Sequence, residues 1–430
     1  MKVLWFTNIP MPEAAAHLGL PKMMGGHWMS ELFAALREYH ELELGVVTAY
    51  PRVKTCRFSA SGVDYFVIGQ PRFHSIFACA PEHLRSCVDV VNSFRPDVIH
   101  VHGSERFYGL IGARSLVRPP VLISIQGILR AYHAEFFGAL GLRELWRAET
   151  LKEVLTYRGL MWTYQKQRSG VMQEAEILRG ATAVAGRTKW DEAWVQVLAP
   201  QARYFHIDEI LRPSFFESNW RPELCEEHSI VVTNTGTPPR GTEVLLSALR
   251  MLKTEFSNVR LRLAGSSGRR FGRLSGYDRF LRDRGAELGL SDSVEWLGQL
   301  DSDAMAKVLA RSHVFAISSY VENSPNSLCE AMSVGVPCVA SYAGGIPSLI
   351  EDERTGLLFP KGDAGMLAAK IRRLFNDRNL CVRLSTAAKL AARTRHGSER
   401  VVGQTMNAYR ALTGNAVDSR AAAEETENVL

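Results

Sequence analysis

Glu322 and Glu330 bracket the stretch Asn323-Ser324-Pro325-Asn326-Ser327-Leu328-Cys329, which sets two acids around one helix start. The apolar run Val314-Phe315-Ala316-Ile317 reads as a short buried strand. Pro325 and its polar neighbours end it, and Leu328 to Ser333 reads as a helix. A helix N-terminus offers unpaired N–H groups and partial positive charge, which suit a diphosphate, whereas a carboxylate accepts the paired hydroxyls of a ribose or hexose. The combination suits a nucleoside diphosphate-sugar, with phosphate at Asn326, Ser327 and Leu328 and hydroxyls at the acids. Ser327-x-x-Glu330 also fits a capping box, in which Glu330 returns a hydrogen bond to the backbone of Ser327.

The surrounding residues extend the pattern. The two glutamates, joined to Pro325-Asn326-Ser327, Glu330-Ala331-Met332, Gly335-x-Pro337 and Gly344-Gly345, closely resemble the donor-site signature of glycosyltransferase family 4, retaining enzymes of the GT-B fold. The likeness continues through Glu351 to Phe359 downstream and Trp296 to Leu300 upstream, so it spans most of the C-terminal half. The resemblance implies an α/β architecture of two Rossmann-like domains with parallel sheets facing a deep cleft. It implies transfer of a hexose-like sugar, with retention, from a nucleoside diphosphate-sugar to a saccharide or polyprenyl-linked saccharide; no metal or other cofactor is expected, because no D-x-D cluster stands in a suitable loop. The expected setting is exopolysaccharide, capsule or lipopolysaccharide assembly. By the same resemblance Glu330 holds the ribose diol, Glu322 binds sugar hydroxyls, and Gly344 and Gly345 line the donor site. A GT-B nucleotide-sugar epimerase and a non-catalytic nucleotide-sugar-binding subunit remain open as alternatives.

Other residues fit this scheme with departures. Gly236-Thr237-Pro238-Pro239-Arg240-Gly241 follows a buried strand and precedes a helix, so its backbone and Arg240 are candidates to face phosphate, or else form a solvated turn. Arg240-Gly241 matches the family's Lys-Gly, but Thr237 stands where an arginine is usual. Gly25 and Gly26 resemble the first-domain loop that lets backbone approach the donor, and equally suit a helix start. His100 and His102 end a strand, as does Gln126, and open α/β sheets place ligand-binding groups at strand carboxyl ends. Gln126 stands where the family commonly has a histidine, so it is read as a neutral sugar or acceptor contact. His102 is the catalytic candidate beside Glu322 and Arg240, and a buried, satisfied histidine is its bland counterpart. Arg187, after the strand Ala181 to Ala185, is read as reaching the cleft, and Ser348 replaces a frequent glutamate.

The elements that must position these groups alternate strand and helix. Candidate strands are Val3 to Thr7, Leu44 to Thr48, Asp64 to Ile68, Val98 to His102 and Val121 to Ile125, followed by a second set from Ile230 onward. This predicts an acceptor-binding domain over residues 1–215, a nucleotide-sugar-binding domain over 216–400, a helix over 401–412 crossing back to the first domain, and a disordered tail over 413–430. The basic, aromatic region from Ala131 to Glu176 has two readings: a membrane-facing amphipathic surface near a lipid-linked acceptor, or two helices packed on the sheet with a solvated charged face. At 430 residues and 46% hydrophobic content the chain fits two α/β cores. Its seven cysteines, without C-x-x-C pairs, argue against a disulfide framework or zinc site and for a cytoplasmic setting, extending to the inner face of the membrane. A net charge of +6, with both signs mixed throughout, does not call for a nucleic-acid partner. The first strand is followed by no G-x-G-x-x-G, which disfavours a dinucleotide dehydrogenase.

Overall fold

The computed structural model describes residues 1–20, 27–71, 79–233, 235–265 and 274–414. Gly25, Gly26 and the expected tail beyond 414 therefore lie outside the described residues.

The first sheet has eight strands: β1 (Lys2–Thr7), β2 (Glu43–Pro51), β3 (Cys56–Ala60), β4 (Val63–Gln70), β5 (Val98–His102), β6 (Val121–Ser124), β7 (Ala183–Gly186) and β8 (Arg203–His206). Their order is β3-β4-β2-β1-β5-β6-β7-β8, parallel throughout except for the β3–β4 hairpin at one edge. The second sheet contains β9 (Glu226–Thr233), β10 (Arg260–Ala264), β11 (Val294–Gly298), β12 (Ser312–Ile317), β13 (Cys338–Tyr342) and β14 (Leu357–Pro360), ordered β11-β10-β9-β12-β13-β14 with every pairing parallel. That is the doubly wound order of a dinucleotide-type fold, in which the chain reverses direction between β9 and β12.

Continuous apolar strands follow from burial on both faces. In β1, Val3 and Trp5 enter one core cluster and Leu4 and Phe6 the opposite one, as the two-residue period of a strand requires. The sequence reading missed β3 and β8. Both are short edge strands with partly exposed side chains and no apolar run to announce them.

The region from Ala131 to Glu176 is not two helices on the sheet but four: Leu129–Ala134, Leu142–Arg147, Leu151–Leu155 and Leu160–Arg179. Gly141 and Gly159 sit at two of the helix starts, and Thr150 caps the third with Glu153. The middle helices lean on the second domain rather than on the first sheet. Arg147 pairs with Glu287, and Glu153 accepts the N–H of Gly276 at 3.2 Å.

The chain enters the second domain after β8, where the helix Pro213–Glu217 packs against the helices Ser302–Arg311 and Asn326–Val334. It returns through the helices Arg378–His396 and Ser398–Leu412. Val401, Val402, Met406 and Tyr409 of the last helix join the first-domain core. The indole N–H of Trp5 donates to the Tyr409 hydroxyl at 2.9 Å, which also lies 2.7 Å from His100 Nδ1. Between the domains, Asp208 is 2.7 Å from Arg395 Nε and 3.1 Å from His206 Nε2, and its N–H donates to Gln404.

Two outcomes test these clamps. Tyr409→Phe strands two buried polar partners and is expected to cost about 2–4 kcal/mol in urea unfolding. Burial pushes the Asp208 carboxyl up, but the His206 hydrogen bond and the Arg395 charge outweigh it and bring the pKa down to about 2. Its stabilisation is thus fully present above the unfolded value of about 3.9 and is lost as pH falls toward the folded one. Asp208→Asn should lose about 2 kcal/mol at neutral pH, with the gap to the parent closing as unfolding is measured from about pH 4 down to about pH 2.

Candidate functional site

The crevice at a reversal of strand order forms beyond the carboxyl ends of the two strands involved, here β9 and β12. The loop after β9 carries Gly236 and Arg240, and the loop after β12 carries Glu322 and Asn323. Two hydrogen bonds lace the loops together. The Ser318 hydroxyl donates to Gly241 O at 2.7 Å, and Tyr320 N donates to Pro239 O at 2.8 Å. Gly241 has φ +64°, and a Cβ there would meet Ser318 O at 2.2 Å, so only glycine permits this approach. The result brings the Arg240 guanidinium against the Glu322 carboxylate, which also accepts the Ser319 hydroxyl at 2.8 Å.

Gly344 and Gly345 hold the same loop from its other side. Gly345 N donates to Glu322 O at 2.9 Å, and Gly344, at φ +53°, leaves no room for a side chain against that carbonyl. Their structural role is to fix the backbone on which Glu322 sits.

The helix after this loop runs Asn326–Val334, with Pro325 at its N-cap and no side-chain cap. Leu328 N donates to Pro325 O at 2.9 Å. The capping box is absent: Glu330 turns away from Ser327 and pairs with Arg212 at 2.6 Å. Burial raises the Glu330 pKa, and Arg212 opposes that shift.

The first domain closes over these groups. The Tyr132 hydroxyl accepts Asn323 N–H at 3.1 Å and lies 3.5 Å from Glu322 Oε2, and the Thr188 hydroxyl donates to Asn323 Oδ1 at 2.9 Å. Arg187 reaches the same seam, where it pairs with Glu209 at 2.8 Å and donates to Gln126 Oε1 at 3.0 Å. Burial lifts the Glu209 carboxyl to about 7 against the pull of Arg187.

The acidic pair is covered: Glu322 is 4% exposed and Glu330 9%, and each faces an arginine. Both lie at the junction of the domains, not in the interior of one. Arg240, read from sequence as facing phosphate or else sitting in a solvated turn, is paired with Glu322, because a carboxylate this buried needs a cation.

His102 sits at the end of β5 with its ring 4.0 Å from Trp5 and 3.9 Å from His100, and burial drives its pKa well below the usual histidine value. The same burial that disfavours the imidazolium makes this ring a weak base. Among the described residues His102 Nε2, Gln126 Nε2 and Asn323 Nδ2 are buried without a hydrogen-bond partner. His102, Arg187 and Glu209 line a cavity of about 20 Å³ beside Trp28, about the room of one water. No group of three or more His, Cys, Asp or Glu side chains suited to a metal ion occurs among the described residues.

Sequence reasoning did not find Tyr132, Thr188, Glu209, Arg212 or Asn323 as members of the site. Asp208-Glu209 and Arg212 offered a signal, since three charges in a short segment between two apolar cores need partners. Tyr132 and Thr188 offered none.

Several known proteins resemble this chain. Residues 224–391 match the family described as glycosyl transferases group 1. The putative colanic acid biosynthesis glycosyltransferase WcaL of Salmonella typhimurium is 32% identical over 31% of this chain and 33% of its own. The amylovoran biosynthesis glycosyltransferase AmsK of Erwinia amylovora is 30% identical over 61% of this chain and 65% of its own. The matches thus span about a third to under two thirds of these relatives. Among solved structures, sucrose-phosphate synthase from Thermosynechococcus elongatus superposes with a TM-score of 0.73 at 18% identity, covering 97% of this chain and 100% of that one. Anabaena HepE, solved with UDP and glucose, gives 0.63 at 17% identity over 94% and 98%. The fold is the GT-B arrangement of two parallel-sheet α/β domains.

The buried ion pair yields a direct test. Arg212→Met leaves Glu330 without its cation and should cost about 3 kcal/mol in chemical unfolding, most of it recovered when Glu330→Gln is added.

Proposed function

We propose, from the group 1 match of the second domain and the GT-B fold of the whole chain, that this protein is a glycosyltransferase of polysaccharide assembly. It moves a sugar from a nucleoside diphosphate-sugar to a saccharide or polyprenyl-linked saccharide, with retention of anomeric configuration and without a metal. The observation that carries this reading is the meeting of Arg240 and Glu322 at the strand-order reversal of the second domain, directly under first-domain side chains.

In this reading the donor exchanges protein partners for its own groups. Its diphosphate takes Arg240 and the N–H groups at Asn326 and Ser327, Leu328 N–H being held by Pro325 O, so the cation and helix terminus stabilise the charge of the leaving group. Glu322 then accepts sugar hydroxyls in place of the guanidinium, and Glu330 takes the ribose diol in place of Arg212. The hydroxyl of Tyr132, already hydrogen-bonded to Asn323 N–H, occupies a position suited to a sugar hydroxyl. Gln126 and Arg187 face the sugar or acceptor from the first domain. The contacts between the domains around Glu322 part to admit the donor and re-form around it, which excludes water from the reacting centre.

Native mass spectrometry against a panel of nucleoside diphosphate-sugars identifies the donor, and nuclear magnetic resonance of the product reads its anomeric configuration. Arg240→Ala should lower kcat/KM by about 100-fold, and Glu330→Gln should weaken donor binding by about tenfold. Donor affinity and turnover unchanged in both variants would refute the assignment, and an inverted product would refute retention.

A further inference from the structure

Nine of the eighteen large apolar side chains exposed among the described residues fall between 142 and 172. Leu142 and Trp146 are one helical turn apart and 80% and 82% exposed, and Leu151 and Leu155 repeat that spacing in the next helix at 76% and 69%. Tyr157 and Trp162 follow with ring centroids 4.8 Å apart. Monomeric soluble proteins rarely expose so much apolar surface in one segment without a partner for it.

The charges of this segment are sorted by sign. Arg143, Lys152, Arg158, Lys166 and Arg168 are exposed and make no ion pair among the described residues, while Arg147 pairs with Glu287. The acids are engaged by backbone N–H groups of their own segment: Glu144 accepts Gly141 N at 2.8 Å, Glu149 accepts Met161 N at 3.0 Å, and Glu153 accepts Thr150 N at 2.9 Å. The segment thus presents exposed apolar side chains beside unpaired cations, a combination that complements an anionic lipid surface.

We infer that the helices from Leu142 to Met172 are a docking surface for an anionic lipid bilayer. The apolar side chains enter the headgroup boundary, and the cations meet lipid phosphates. The segment begins ten residues after Tyr132, which touches Glu322, and it contacts the second domain through Glu153 and Gly276. Docking therefore holds the mouth of the domain junction at the membrane. The binding claim stands on exposure and charge alone; only its link to a lipid-linked acceptor rests on the transfer reading.

The test is flotation of the full chain with vesicles of phosphatidylcholine, alone or mixed with phosphatidylglycerol. Flotation is expected with the anionic mixture, weakened by high salt and slight with phosphatidylcholine alone. Leu151→Glu with Leu155→Glu, and separately Lys152→Glu with Arg158→Glu, should each lower the bound fraction by at least about tenfold. Leu390→Glu, at an exposed leucine of the second domain, should leave it unchanged. Parent-like thermal unfolding and nucleotide-sugar binding by the patch variants would confirm that fold and donor site are intact. Absent flotation, equal flotation of the patch variants, or patch-dependent self-association without vesicle binding overturns the inference. A parent protein that floats but binds no nucleotide-sugar defeats the transfer reading alone.

Discussion

Charge buried at a domain junction must be compensated, and that constraint organises this molecule. Removing a carboxylate or guanidinium from water costs several kcal/mol per ion unless a partner of opposite sign sits in good geometry. The seam between the domains carries four such pairs: Arg240 with Glu322, Arg212 with Glu330, Arg187 with Glu209, and Arg395 with Asp208. None of these partners is close in sequence. Each pair therefore ties separate elements, and the junction is specific because a mismatched arrangement would leave a buried ion alone.

The same pairs make the seam suitable for an anionic, hydroxyl-rich ligand. A guanidinium held by a carboxylate is already partly desolvated and oriented, so phosphate can take its place beside it with little further ordering. Hydrogen-bonding atoms left over at the seam, such as His102 Nε2 and Asn323 Nδ2, add directional partners. Rigid sheets stand behind both sides, because β5, β9 and β12 are buried strands whose carboxyl ends deliver these residues. Glycines supply what side chains would prevent, namely the close approach of the loops at residues 241 and 344 to the backbone after β12.

Elements buried on both faces were legible from sequence alone. The runs Val98 to His102 and Val314 to Ile317 need no tertiary context to be read as strands, since only central parallel strands bury every residue in a row. The helix after Pro325 and the glycine turn were equally clear. The edge strands β3 and β8 and the long helix Arg378–His396 were not, because a half-exposed element carries a weaker periodic signal.

The sequence by itself determined the alternating α/β plan, the two domains' worth of core, and the acidic loop and helix start around Glu322 and Glu330. These features are local, set by apolar periodicity, breaker residues and spacing along one stretch of chain. Only the tertiary structure decided which arginine faces which acid, and that Tyr132 and Thr188 cover the loop. Those outcomes depend on where chain segments between 22 and 191 residues apart come to lie, and electrostatic partners are chosen by distance in space, for which a linear pattern holds no measure.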